Sequence, residues 1–107
     1  MENEFDFFPV INVNEIPYGE RIFIDLDDEP VVIFRVSDKF YAISDRCSHD
    51  DGPLGDGELE GCEVICPRHG ARFDIRTGEV KSMPAIEDIN WYPTRVVGDM
   101  LEIGVRR

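Results

Sequence analysis

Cys47-Ser48-His49 and, sixteen residues further on, Cys66-Pro67-Arg68-His69 decide how the rest of this chain is read. The protein has three cysteines and two histidines, and these two stretches hold four of those five residues. Both pairs are surrounded by glycine, proline, serine and aspartate, the residues of tight turns. Thiolate and imidazole donors suit zinc or an iron–sulfur centre, whereas magnesium and calcium prefer oxygen. Two Cys and two His satisfy the donor count of a closed structural zinc site. The common zinc finger, however, pairs Cys with Cys and His with His. Here each loop supplies one of each, a split that suits two irons, one taking both sulfurs and the other both imidazoles.

The sequence on either side reads as β structure. Phe8-Pro9-Val10-Ile11-Asn12-Val13 is predicted as an edge strand, because its proline cannot donate to a ladder. A turn-rich stretch follows, with one helical turn expected around Glu15-Ile16. Residues 21–26 and 31–36 are rich in β-branched and aromatic side chains and are separated by Asp27-Asp28-Glu29-Pro30. Ser37-Asp38-Lys39 then turns the chain into Phe40-Tyr41-Ala42-Ile43-Ser44. Residues 92–97 and 100–105 read as a hairpin across Gly98-Asp99. No stretch sustains the spacing of a long amphipathic helix. Between Asp45 and Gly78 lie six glycines and few long apolar runs, so this region has little apolar surface with which to order itself. A metal centre is the economical means of holding it. The expectation is therefore all-β: an antiparallel sandwich or small barrel base with a loop-rich insert. Residues 1–107 form a single domain, with the base at about 1–44 and 84–107 and the insert at about 45–83.

At 107 residues the chain buries roughly 65% of its unfolded surface, enough for one modest core. The net charge of −12 opposes binding to nucleic acid or to an anionic membrane face, and suits steering towards a basic partner. Met1-Glu2-Asn3-Glu4-Phe5-Asp6 is acidic and has neither the basic region nor the apolar run of a secretory signal. The odd cysteine count does not suggest a disulfide framework, so the cytoplasm is the expected compartment.

The ligand pattern Cys47-x-His49 with Cys66-x-x-His69 resembles the Rieske 2Fe–2S motif, and specifically that of Rieske-type ferredoxins of ring-hydroxylating oxygenase systems. The resemblance extends to Lys39-Phe40-Tyr41-Ala42-Ile43, to residues 52–57 (Gly-Pro-Leu-Gly-Asp-Gly) and through residues 70–74 (Gly-Ala-Arg-Phe-Asp). Further on it takes in Arg76-Thr77-Gly78-Glu79, Pro84-Ala85 and Tyr92-Pro93. It implies a Rieske-like fold and one 2Fe–2S cluster, with Cys47 and Cys66 on one iron and His49 and His69 on the other. It also implies that Pro84 lies in a loop covering one side of the cluster. Respiratory Rieske proteins carry a further cysteine in each ligand loop, forming a disulfide; the matching positions here are Gly52 and Arg68. Those proteins also place hydroxyls near the cluster, where this chain has Ala71 and Phe73. The expected potential is accordingly nearer about −150 mV than about +300 mV.

Cys62 matches no ligand position and is read as a small hydrophobe beside Val64. Trp91 and Tyr92 are read as core or edge residues, and Asp50, Asp51, Asp56 and Glu58 as an acidic fringe around the loops. With no nucleophile–base pair and no histidine left for a mononuclear iron, the chain is expected to be a carrier and not an enzyme. The resemblance implies a flavin-containing reductase as electron donor and an oxygenase or other redox enzyme as acceptor, with no nucleic-acid or membrane partner. Two alternatives are a non-catalytic redox subunit of a larger assembly, such as a small reductase subunit or an iron–sulfur biogenesis accessory, and a zinc-stabilised binding module.

Overall fold

The computed structural model describes residues 4–107; Met1–Asn3, the start of the acidic opening stretch, lie outside the described residues. Among the described residues eleven strands form three sheets, and every pairing is antiparallel. The first sheet has the order β1 (Phe5–Asn12), β11 (Met100–Arg106), β10 (Thr94–Val97). The second runs β2 (Arg21–Leu26), β3 (Glu29–Val36), β4 (Lys39–Ser44), β9 (Trp91–Tyr92). The third runs β5 (Leu59–Glu60), β6 (Glu63–Ile65), β7 (Arg72–Asp74), β8 (Val80–Ser82). The all-β expectation agrees with this architecture.

The four apolar residues Val31-Val32-Ile33-Phe34 explain the layering. In a strand, successive side chains point to opposite faces. Val31 and Ile33 pack with Ile16, Phe40, Ala42, Leu101 and Ile103, the core shared with the first sheet. Val32 and Phe34 pack instead with Ile43, Leu54, Val64, Phe73 and Ile75, the core shared with the third. All four are at most 1% exposed, so β3 is buried on both faces. A continuous apolar run is what such a strand needs.

β1 is the predicted edge strand, begins earlier than expected, and has a bulge between Pro9 and Ile11 where proline withholds a donor. The helical turn is a single 3-10 turn, Val13–Glu15, capped by the Asn12 side chain accepting from the Asn14 N–H (2.8 Å). Two expectations are corrected. The β2–β3 turn is confined to Asp27-Asp28, both at positive φ (57° and 70°), a two-residue hairpin that leaves Glu29 and Pro30 in the strand. Tyr92 belongs to β9, which pairs with β4, and Pro93 separates it from the β10–β11 hairpin. The loop-rich insert also carries short strands, since residues 59–82 contain the whole third sheet. Its scattered Leu54, Val64, Ala71, Phe73 and Ile75 are each at most 1% exposed. Apolar residues too dispersed to register as runs thus converge on the back of β3.

Candidate metal centre

The two cysteine–histidine loops both lead into strands of the third sheet and are built alike. Residues 45–58 join β4 to β5, and residues 66–71 join β6 to β7. In the first loop, Cys47 N–H donates to Gly52 O (2.9 Å) and Asp51 N–H donates to Cys47 O (2.8 Å). In the second, Cys66 N–H donates to Ala71 O (2.7 Å) and Gly70 N–H donates to Cys66 O (3.0 Å). The two bonds thus connect equivalent positions in both loops, four and five residues beyond the cysteine. Asp51 (φ 61°) and Gly70 (φ 80°) occupy the same left-handed position, a conformation open to Gly and tolerated by Asp.

This geometry sorts the donors by depth. Cys47 and Cys66 are 0% and 2% exposed and belong to the core behind β3, whereas His49 and His69 are solvent-exposed. The imidazole rings meet edge to face with centroids 5.2 Å apart. Burial pushes the Cys47 thiol above its ordinary pKa; the adjacent Cys66 adds to the rise, and the backbone N–H groups of His49 and Asp50 oppose it. Coordination to iron would reverse the balance, because a bound metal holds its thiol as thiolate.

Asp50 bridges the loops. Arg68 Nε donates to Asp50 Oδ2 (2.7 Å) and an Arg68 Nη donates to Asp50 Oδ1 (2.8 Å), a bidentate fork; the other Nη donates to Pro53 O. The guanidinium holds the Asp50 carboxyl well below the usual carboxylate range, and Asp50 also accepts from Gly52 N–H. Asp50 is exposed like Asp51, Asp56 and Glu58, but its carboxylate is engaged by Arg68 and so it is not a free member of the acidic fringe. Other side chains fix the first loop to the base. Asp45 accepts from Leu54 N–H (3.0 Å) and Gly55 N–H (2.5 Å), and Arg21 donates to the carbonyls of Gly55 and Gly57 (both 2.6 Å). Ser48 donates to Glu87 O (2.5 Å), joining the first loop to the segment that contains Pro84. Sequence reading missed these supports; opposite charges at Asp50 and Arg68, one per loop, are the signal that could have revealed the bridge.

The donor set fits a 2Fe–2S cluster. Buried sulfurs face a dry core and exposed imidazoles face solvent, so the donors are already separated into a sulfur side and a nitrogen side. An Asp50 oxygen lies with the two imidazoles in a group whose donor atoms are within 4.8 Å of one another, but both its oxygens are engaged by Arg68. Cys62 is half-buried against the core around Val64 and Phe73. Trp91 is exposed and stacks obliquely with Phe5 at the edge of the base (6.4 Å). Ala71 and Phe73 are fully buried beside Cys66 in the same core and bring no hydroxyl.

Comparison with known proteins agrees with this geometry. The Rieske [2Fe-2S] domain matches residues 6–93. The biphenyl dioxygenase ferredoxin subunit of Pseudomonas sp. (strain KKS102) is 39% identical over 93 residues, covering 86% of this chain and 85% of that protein. Among solved structures, the ferredoxin of carbazole 1,9a-dioxygenase from Nocardioides aromaticivorans IC177 superposes with a TM-score of 0.84 at 30% identity, over 91% of this chain and 95% of that one. A complex of reduced oxygenase and oxidized ferredoxin in carbazole 1,9a-dioxygenase contains a chain matching at a TM-score of 0.82 and 26% identity, over 91% of each. With the family's domain spanning most of its length, this chain belongs to the Rieske [2Fe-2S] domain family, and its cofactor is a Rieske-type 2Fe–2S cluster.

Proposed function

We propose that the protein is a one-electron carrier of a ring-hydroxylating dioxygenase system, taking electrons from a flavin-containing reductase and passing them to an oxygenase. Cys47 and Cys66 hold one iron as thiolates and His49 and His69 hold the other. When bound, the cluster supplies a reversible one-electron couple. The observation that carries the reading is the depth sorting: two buried thiols against two exposed imidazoles 5.2 Å apart. Exposed imidazole edges offer an electron port, while the buried sulfur side is kept from water. Similarity to the ferredoxin of the carbazole 1,9a-dioxygenase complex supports the choice of an oxygenase as acceptor.

Both histidines of the chain are spent on the cluster, so none remains for a mononuclear iron site of the two-histidine, one-carboxylate kind. The protein therefore moves electrons and leaves bond-making to its partner. Residues 45–83 act as the cluster-binding subdomain on a base formed by residues 1–44 and 84–107. Free cysteines suit the cytoplasm, where thiols stay reduced. Among the described residues no helix is long and apolar enough to cross a membrane.

The purified protein is expected to absorb in the visible, to contain iron and acid-labile sulfide in equal amounts, and to give an EPR signal only after reduction. His69→Ala should lose the cluster or alter its spectrum, and Cys62→Ser should do neither. A colourless zinc protein would overturn the cofactor. Loss of the cluster in Cys62→Ser with retention in Cys66→Ser would overturn the ligand set.

A further inference from the structure

The four proposed ligands leave each iron spanning both loops, Cys47 with Cys66 and His49 with His69. No disulfide ties the loops to each other, since Cys47, Cys62 and Cys66 are all free. The Arg68–Asp50 fork bridges the loops by side chains, and it connects residues directly adjacent to His69 and His49. Its surroundings are built for it. Gly52 has no side chain where a Cβ would lie 2.6 Å from the Arg68 Cζ, so its absence is what admits the guanidinium. The third guanidinium nitrogen is bound by Pro53 O, which returns the chain of contacts to the first loop. The two side chains are 31% and 28% exposed, so the pair stays in contact with water and its strength comes from the bidentate geometry.

We propose that Arg68 and Asp50 are positioning residues: a non-covalent clasp that holds the two ligand loops in register and places a balanced pair of charges beside the cluster. The inference rests on the ligand reading above. A planar fork fixes angle as well as distance, so lysine cannot replace arginine here although it keeps the charge. The two charges act oppositely on the couple. Reduction adds negative charge, so Arg68 favours the reduced state and Asp50 disfavours it.

The test follows cluster release from the holoprotein by its visible absorbance in excess iron chelator, together with the reduction potential of each variant. Asp50→Asn and Arg68→Gln should each release the cluster about tenfold faster than wild type, the scale of losing an outer partner of a metal ligand. The double variant should be no faster than either single. The potential should fall in Arg68→Gln, rise in Asp50→Asn and return near the wild-type value in the double. Arg68→Lys should keep the potential but release the cluster quickly, and Gly52→Ala should release it quickly by displacing the guanidinium. Unchanged release rates, additive losses, or potentials that move in the same direction would overturn the clasp while leaving the ligand set standing. A wild-type protein without the cluster would overturn the ligand reading, and the clasp with it.

Discussion

Gly78 shows how one residue ties distant parts of the chain together. Its φ of +75° lies in the left-handed region, and a Cβ there would approach Ile89 O to 2.1 Å. Gly78 O in turn accepts from Ile89 N–H (2.8 Å), so two backbones meet where a methyl group cannot fit. Gly98 offers a control: its φ of +64° is similar, but nothing lies within 4 Å of its Cβ position. Gly98→Ala should cost about 1–2 kcal/mol, the left-handed penalty alone. Gly78→Ala should cost more than that, because the clash is with backbone and cannot be relieved by a side-chain rotation. Urea unfolding followed by tryptophan fluorescence compares the two, and equal losses would remove the close-packing argument. The positive φ at Gly78 was legible from Arg76-Thr77-Gly78-Glu79, since a turn there calls for glycine. The contact with Ile89 was not, because it joins separate segments that share no local pattern. The same limit hid the clasp: Asp50 and Arg68 are each ordinary loop residues until the fold brings them together.

At the scale of elements, the two cores divide the work. The core between the first two sheets contains Ile103 and Leu101; the core between the second and third contains Phe73, Val64 and the proposed ligands Cys47 and Cys66. β3 was readable as a strand from its β-branched and aromatic side chains, and its four-residue apolar run is what makes it the middle layer. What the sequence obscured was the third sheet, whose strands are only two or three residues long. Strands so short leave no periodicity to count, and their order depends on packing against β3. That packing gives the sheet a direct part in holding the cluster. Phe73→Ala should cost about 3–5 kcal/mol and Ile103→Ala about 2–5 kcal/mol, both as cavities in dry cores. Yet only Phe73→Ala should speed cluster release in chelator well below the unfolding midpoint, because only it loosens the wall behind Cys47 and Cys66. Equal acceleration in both variants would mean that cluster retention follows global stability alone.

At the scale of the whole molecule, the net charge of −12 becomes useful through its placement. Asp51, Asp56 and Glu58 are exposed on the first ligand loop, and Glu87 is exposed on the segment joined to that loop through Ser48. Met83 and Ile86, each 77% exposed, add apolar surface to the same segment. Exposed acidic and apolar side chains on the first loop and the segment joined to it suit brief docking of a basic partner: the charges set the encounter rate, and the weak apolar contact permits release. Electron transfer from the reduced protein to a basic haem acceptor should therefore slow as ionic strength rises towards and beyond 0.15 M, where the screening length falls to about 8 Å. Neutralising Asp51, Asp56 and Glu58 together as Asn, Asn and Gln should lower the low-salt rate and flatten its salt dependence. Asp38→Asn is the control, since Asp38 precedes β4 at the end away from the ligand loops. Six residues of extended strand separate the two ends by roughly 20 Å, beyond the screening length at physiological salt, so Asp38→Asn should change the rate much less. A rate equally sensitive to Asp38→Asn would make overall charge the steering agent, and a rate indifferent to salt would leave the acidic side chains without a part in docking.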